Sequence, residues 1–131
     1  MSDRLLTDYA YIFYGSIAEF RYVDFLHILS EKEISRAGKF LLESDKKRYV
    51  ISRSILKGLL SSFLRVDKNR IEFEYGKNGK PFLRNSTDLQ FNISHTGEAF
   101  AIGFMLEKEI GVDLESMSTI PNISKLENYL F

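Results

Sequence analysis

Two carboxylates, Asp113 and Glu115, stand two residues apart in the stretch Ile110-Gly111-Val112-Asp113-Leu114-Glu115. Side chains alternate faces along a strand, so on extended backbone both acids point one way. Ile110, Val112 and Leu114 then point toward the core, and Gly111 leaves room beside Asp113. Adjacent hard oxygen donors suit Mg²⁺, which takes one or two carboxylates and fills its octahedron with water and phosphate oxygens. The same pattern fits a solvated strand face carrying two ordinary acids. Ser94-His95 ends an alternating segment and precedes Thr96-Gly97, a turn. A histidine there can donate to a phosphate or exchange a proton near neutral pH, and it equally fits a turn histidine without a ligand. Gly79-Lys80-Pro81 lies in a hairpin-like loop whose Asn78-Gly79 centre tolerates positive φ. It is no P-loop, because Pro81 stands where Ser or Thr must hold magnesium.

Lys46, Lys47 and Arg48 cluster toward the start of a long helical pattern, with Arg53 and Lys57 following on what reads as its polar side. A helix dipole disfavours cations near the N-terminus, so this placement points to an anionic ligand. His27, inside Phe25-Leu26-His27-Ile28-Leu29, reads as structural or simply exposed.

Composition removes several classes of function. The 131 residues contain no cysteine, which excludes disulfides, cysteine-based zinc sites, iron–sulfur clusters and thiol nucleophiles. Two histidines leave little scope for a multi-histidine metal site. Eighteen basic residues balance eighteen acidic ones, so no global field draws the chain to nucleic acid or to a membrane. No apolar run approaches the ~20 residues of a membrane helix. No signal pattern opens the sequence, so the expected address is the cytoplasm, and the sequons at Asn85, Asn92 and Asn122 are chance matches. The motifs GxGxxG, GxSxG and HExxH are absent.

The elements that must position these residues follow from periodicity. Tyr9 to Tyr14 reads as a buried strand stopped by Gly15, and Val23 to Leu29 as a short helix. Ser30 and Glu33 form a capping box, and Ser44-Asp45 is a second start signal. From there to Arg65, Ile51, Ile55, Leu59 and Phe63 recur every fourth residue beside Leu56, Leu60 and Leu64, the face of an amphipathic core helix. Ile71 to Tyr75, Phe82-Leu83, Leu89 to Ser94, Ala99 to Met105 and Ile110 to Glu115 read as extended. Pro121 breaks the chain, and a helical pattern begins at Ile123. The expected class is α+β, a long helix packed on a mostly antiparallel sheet.

Taken in order, Gly79-Lys80-Pro81, Asn92-Ile93-Ser94-His95 and Gly111-Val112-Asp113-Leu114-Glu115 resemble the motifs of 4′-phosphopantetheinyl transferases of the surfactin-synthetase-activating (Sfp) type. The pair N-x-S-H and G-V-D-L-E, eighteen residues apart from His95 to Asp113, is specific. The resemblance runs from about Tyr9 to Phe131. It implies a fold in which two similar α+β halves form a pseudo-dimer, with coenzyme A between them. It also implies the activity: transfer of the phosphopantetheine arm of coenzyme A to a serine of an acyl or peptidyl carrier protein. By resemblance, Asp113 and Glu115 would hold Mg²⁺ on the pyrophosphate, with Asp113, Glu115 and His95 as the catalytic set. Ser94 and His95 would contact coenzyme A phosphates, the backbone of Gly79, Lys80 and Pro81 would border the adenine, and Arg48 with Arg36 would meet the 3′-phosphate.

The family's third motif, Lys-Glu-[Ala/Ser] after an aromatic residue, supplies a further metal-site glutamate proposed as the base. Glu31-Lys32-Glu33 and Glu107-Lys108-Glu109 lack its flanks and its order. Residues 1–131 are therefore expected to be a single domain, the N-terminal half of a two-half enzyme with its C-terminal half absent. The face beside Ser94-His95 and Asp113 is expected to pair with a second copy. The alternative is a non-catalytic remnant that binds coenzyme A or a partner protein only.

Overall fold

The computed structural model describes residues 9–84, 88–107 and 110–113. Its centre is strand β5, Ala99–Leu106, flanked on one side by β1, Tyr11–Ser16, and on the other by β4, Leu89–Thr96, both antiparallel to it. The nearly continuous apolar run of β5 suits this central place, because both of its faces are covered. β1 is an edge strand with its outer side chains exposed, not the buried strand expected. It also runs through Gly15, whose pairing with Phe100 supplies the ladder; a Cβ at Gly15 would lie 3.3 Å from the Phe100 ring.

Register decides what meets the core. Phe91, Phe104 and Tyr11 lie opposite one another across the sheet, as do Ile93, Ile102 and Phe13. These rows face helix α2, Glu43–Leu64, whose Ile51, Leu56 and Leu60 are fully buried against them. Phe13, Phe63, Phe91 and Phe104 then close a ring cluster with tilted or edge-on contacts at 5.1–6.5 Å. Each such apolar side chain, fully buried, contributes about 1.5–3 kcal/mol. A second sheet pairs the short strands β2, Phe73–Tyr75, and β3, Pro81–Leu83. Its connecting turn has Gly79 at φ +80°, with Gly79 N–H donating to Gly76 C=O.

Helix α1, Glu31–Gly38, starts where the capping box places it: Ser30 Oγ accepts from Glu33 N–H, and Glu33 accepts from Ser30 N–H. The segment expected as a helix from Val23 is a run of 3₁₀ turns over Tyr22–Ile28. Ser44 does not cap α2, which begins at Glu43 after Leu42 without a side-chain cap. Ile110 to Asp113 is not a regular strand, although Ile110 and Val112 are half-buried while Gly111 and Asp113 are exposed, as their alternation required. The Pro121 break and the helix from Ile123 lie outside the described residues, as does Glu115.

The largest departure concerns Arg53 and Lys57. They read as polar-side residues, yet Arg53 is 6% exposed and Lys57 only 1%. Both are paired with one carboxylate of α1: Lys57 Nζ lies 2.7 Å from Glu33 Oε1, and Arg53 Nη1 lies 3.3 Å from Glu33 Oε2. Burial by itself raises the pKa of Glu33, but the Lys57 hydrogen bond, the Ser30 N–H and the charges of Lys57 and Arg53 outweigh it. The carboxyl stays below its ordinary range.

Removing Glu33 strands two buried cations. Glu33→Ala is expected to destabilise the chain by about 3–5 kcal/mol, the usual cost of breaking a buried pair from one side, measured by chemical denaturation. Because the Glu33 pKa is lower folded than unfolded, its contribution is complete above the ordinary value near 4.5. It is lost as pH falls through the folded value. The wild-type stability curve should therefore decline on the acid side by more than that of Glu33→Ala.

Candidate functional site

The first half of α2, the end of α1, the β2–β3 turn and β4 surround a cleft of about 540 Å³. Arg36, Arg48 and Arg53 line it from the helices, Gly79, Lys80 and Pro81 from the turn, and His95 from β4. These seven residues, all singled out in the sequence, are thus brought to one cavity from four separate elements. The strand β4 extends through His95 to Thr96, so His95 belongs to regular structure and not to the turn after it.

Arg48 is tethered at the cleft rim. Its Nη1 lies 3.2 Å from Asp45 Oδ1, and its Nε donates to Gly97 C=O at 3.2 Å. That second bond ties the β4–β5 turn, where Gly97 takes φ +56°, to α2. Burial, reinforced by the nearby Arg48 charge, holds His95 below the usual imidazole range, so its ring is neutral at pH 7. A neutral imidazole keeps one donor and one acceptor. Of the other basic residues at the start of α2, Lys46 is directed elsewhere, its ammonium 5.6 Å from the Tyr22 ring centroid.

Ser94 and Asp113 belong to the other face of β4. Ser94 is one residue from Ile93 and His95, so strand alternation turns it away from them. Its Oγ donates to Asp113 Oδ1 at 3.5 Å. Asp113 reaches it because residues 110–113 pack on the outer face of the sheet. Val112 N–H donates to Asn92 Oδ1 at 3.1 Å. Gly103, opposite Asn92, provides the space: a Cβ there would fall 2.5 Å from Val112 Cγ2 and 2.9 Å from Ile110 Cδ1. Asp113 is an exposed carboxylate with a hydroxyl beside it, a donor set that fits a hard cation. Among the described residues no three His, Asp or Glu side chains cluster as a metal cage.

Sequence reasoning missed several cleft residues. Phe40, Asp45, Tyr49 and Ser52 also line it. Phe40 and Tyr49 stack at 5.5 Å, and the buried Tyr49 hydroxyl has no hydrogen-bond partner among the described residues. Burial pushes that phenol up to about 12, so it remains protonated. What was missed of Arg53 is its burial, for which the signal was the i, i+4 charged pair Arg53 and Lys57 set between Val50-Ile51 and Leu59-Leu60.

Residues 17–104 match the family model described as 4′-phosphopantetheinyl transferase, N-terminal. The chain belongs to that family. Among its relatives, a putative 4′-phosphopantetheinyl transferase, slr0495, of Synechocystis sp. is 36% identical over 79% of this chain and 43% of its own length. The 4′-phosphopantetheinyl transferase HetI of Nostoc sp. is 29% identical over 82% of this chain and 47% of its own length. The Sfp enzyme of Bacillus subtilis is 27% identical over 73% and 42%. The chain therefore spans about half the length of the curated relatives it matches. A holo-(acyl-carrier-protein) synthase from Bacillus anthracis, solved in complex with CoA (3′,5′-ADP), superposes with a TM-score of 0.56 at 24% identity. The match covers 74% of this chain and 93% of that one. The α+β fold of the transferase half is thus the fold of this chain. Among the described residues no helix is long and apolar enough to cross a membrane.

If Gly103 is what lets residues 110–113 lie on the sheet, Gly103→Ala should free the Val112 amide. Its hydrogen exchange is expected to accelerate while that of Ile102 stays protected, at a cost of about 1–3 kcal/mol in stability from overpacking. Unchanged exchange at Val112 would show that the segment is held by something other than this contact.

Proposed function

We propose that this chain is the N-terminal half of an Sfp-type transferase that binds Mg²⁺–coenzyme A and presents it to the serine of an acyl or peptidyl carrier protein. The observation that carries the reading is the convergence of Arg36, Arg48, Gly79, Lys80, Pro81 and His95 on one cleft. A cation-rich cavity beside an exposed acidic residue suits a ligand with several phosphates. In this reading Arg48 and Arg36 bind the 3′-phosphate, and the Gly79-Lys80-Pro81 backbone borders the adenine. His95, neutral at pH 7, donates an N–H to a phosphate oxygen, and Ser94 contacts the phosphate chain from its side of β4.

Asp113 and Glu115 are the residues that would hold Mg²⁺, whose chemistry is to neutralise charge on the pyrophosphate and on the departing 3′,5′-ADP. The carrier serine oxygen forms the new bond to the phosphorus that bears the pantetheine arm. The bridging oxygen leaves with 3′,5′-ADP, and the serine proton passes to a base. This chain's part is to fix the nucleotide and to place positive charge where negative charge builds up. The cytoplasm is the proposed location, since coenzyme A and carrier proteins meet there.

Calorimetric titration with coenzyme A and its 3′-dephospho form, with and without Mg²⁺, tests the assignment. Arg48→Ala is expected to weaken coenzyme A roughly tenfold or more and the dephospho form much less, as befits a charge-assisted contact. Asp113→Ala should abolish the Mg²⁺ dependence and leave the fold intact, because its side chain is exposed. Equal losses for both ligands, or Mg²⁺-independent binding throughout, would sink the reading.

A second copy of the chain is the further partner we propose. Ile12 and Tyr14, on the outer sheet face shared with Asn92 and Ser94, are 49% and 82% exposed, and a symmetric dimer would cover them. Light scattering should give twice the chain mass; a strict monomer at high concentration would exclude this pairing.

A further inference from the structure

Arg36 is held in the cleft by rings. Its guanidinium carbon lies 5.6 Å from the Tyr49 ring centroid and 5.2 Å from that of Tyr75. Among the described residues its side chain meets no carboxylate. Its donors are therefore free for a ligand while its plane is confined by aromatic faces. Tyr49 comes from α2 and is fixed by that helix. Tyr75 comes from the end of the three-residue strand β2, which offers little support of its own. Its support is Arg53, whose Nη1 donates to the Tyr75 hydroxyl at 2.9 Å while also contacting Glu33. Arg53 further stacks on Phe73 at 4.5 Å, so both outer residues of β2 rest on it.

These contacts form two levels. Glu33, Arg53 and Lys57 are the buried level; above it Arg36 and Tyr49 line the cleft, with Tyr75 behind Arg36. The two levels are linked along each helix: Glu33 and Arg36 are three residues apart on α1, and Tyr49 and Arg53 four apart on α2. The hydroxyl of Tyr75 joins the levels across to the small sheet. An arginine on an eight-residue helix near its C-terminus would otherwise sample many rotamers, each a cost on binding.

We infer that Tyr75 is a positioning residue: anchored through its hydroxyl to Arg53, it confines Arg36 against Tyr49 so that the guanidinium is preset for an anionic group of the ligand. The identity of that ligand as coenzyme A rests on the reading above; the confinement itself does not. Tyr75→Phe keeps the wall and loses the anchor, whereas Tyr75→Leu loses both.

Two measurements separate the proposal from that reading. In the ligand-free protein, NMR should show the Arg36 side-chain resonances shifted by ring currents, with the shift reduced in Tyr75→Phe and largely lost in Tyr75→Leu. Unshifted Arg36 signals in the wild type would overturn the proposal whatever the ligand. In titrations with coenzyme A, and in parallel with inorganic pyrophosphate, Tyr75→Leu is expected to weaken binding roughly five- to tenfold, and Tyr75→Phe by less. In the Arg36→Ala background, Tyr75→Leu should cause almost no further loss, because the two residues act through one contact. Additive losses in the double variant would mean that Tyr75 supports the cleft only generally, and would overturn the proposal while leaving the coenzyme A reading in place. Binding of pyrophosphate but not coenzyme A, with the same coupling, would uphold the positioning role and overturn the ligand. Binding of neither would overturn both.

Discussion

A single carboxylate, that of Glu33, holds two buried cations in place, and the organisation of the cleft depends on it. Lys57 and Arg53 sit one helical turn apart on α2, so each can reach a different oxygen of one acid supplied by α1. Desolvating these charges is costly, and the geometry repays it only while all three are present. The arrangement brings α1 against α2 by a polar contact where a small apolar cluster of Leu29, Ala37 and Val50 packs beside it. Arg53 then extends the same network to Tyr75, so the two-stranded sheet is tied to the helices as well. Three walls of the cleft are connected through one acid.

The same triad is not neutral. One carboxylate faces two cations, so it leaves an excess of positive charge just beneath a cavity that Arg36, Arg48 and Lys80 already line. Asp45, paired with Arg48, is the counter-charge at the rim. The whole chain has no net charge, but its potential is far from uniform: cations gather where low-dielectric walls strengthen their field. The lowered pKa of His95 has the same origin, since burial and Arg48 both oppose a further positive charge there. A phosphate entering the cleft meets this field before it meets any one donor.

Much of this was legible before the structure. The α+β class, the long α2, the capping box, the Gly79 turn and the strands from Phe73 to Leu106 follow from local period and turn chemistry, which the fold preserves. Of the cleft residues, Lys80 and His95 were recognisable from motifs, and Arg48 from the basic cluster at the start of α2. What escaped is what depends on partners distant in sequence. Nothing near Arg53 or Lys57 announces Glu33, twenty and more residues away on another helix, so both looked like surface cations. Gly15 looked like a strand end because local propensity cannot register its pairing with Phe100. Tyr75 looked like an ordinary alternating residue, and its role at the cleft exists only once Arg36 and Arg53 are folded against it.

The N-I-S-H segment has a consequence that periodicity alone forces. Its histidine faces the cleft and its serine faces the outer side, because neighbours on a strand cannot share a face. Asn92, on the serine's side, lines the cleft together with Ile93 and His95, so residues from both faces of β4 border it, and Asn92 also holds the Val112 amide beside Asp113. A ligand engaging both faces must pass around an edge of the sheet, and among the described residues β4 is an edge strand. The Gly97 turn at its end, held to α2 by Arg48, marks the short way round. The separation of Ser94 from His95 across one strand thus lets the two side chains face a ligand from different sides of β4.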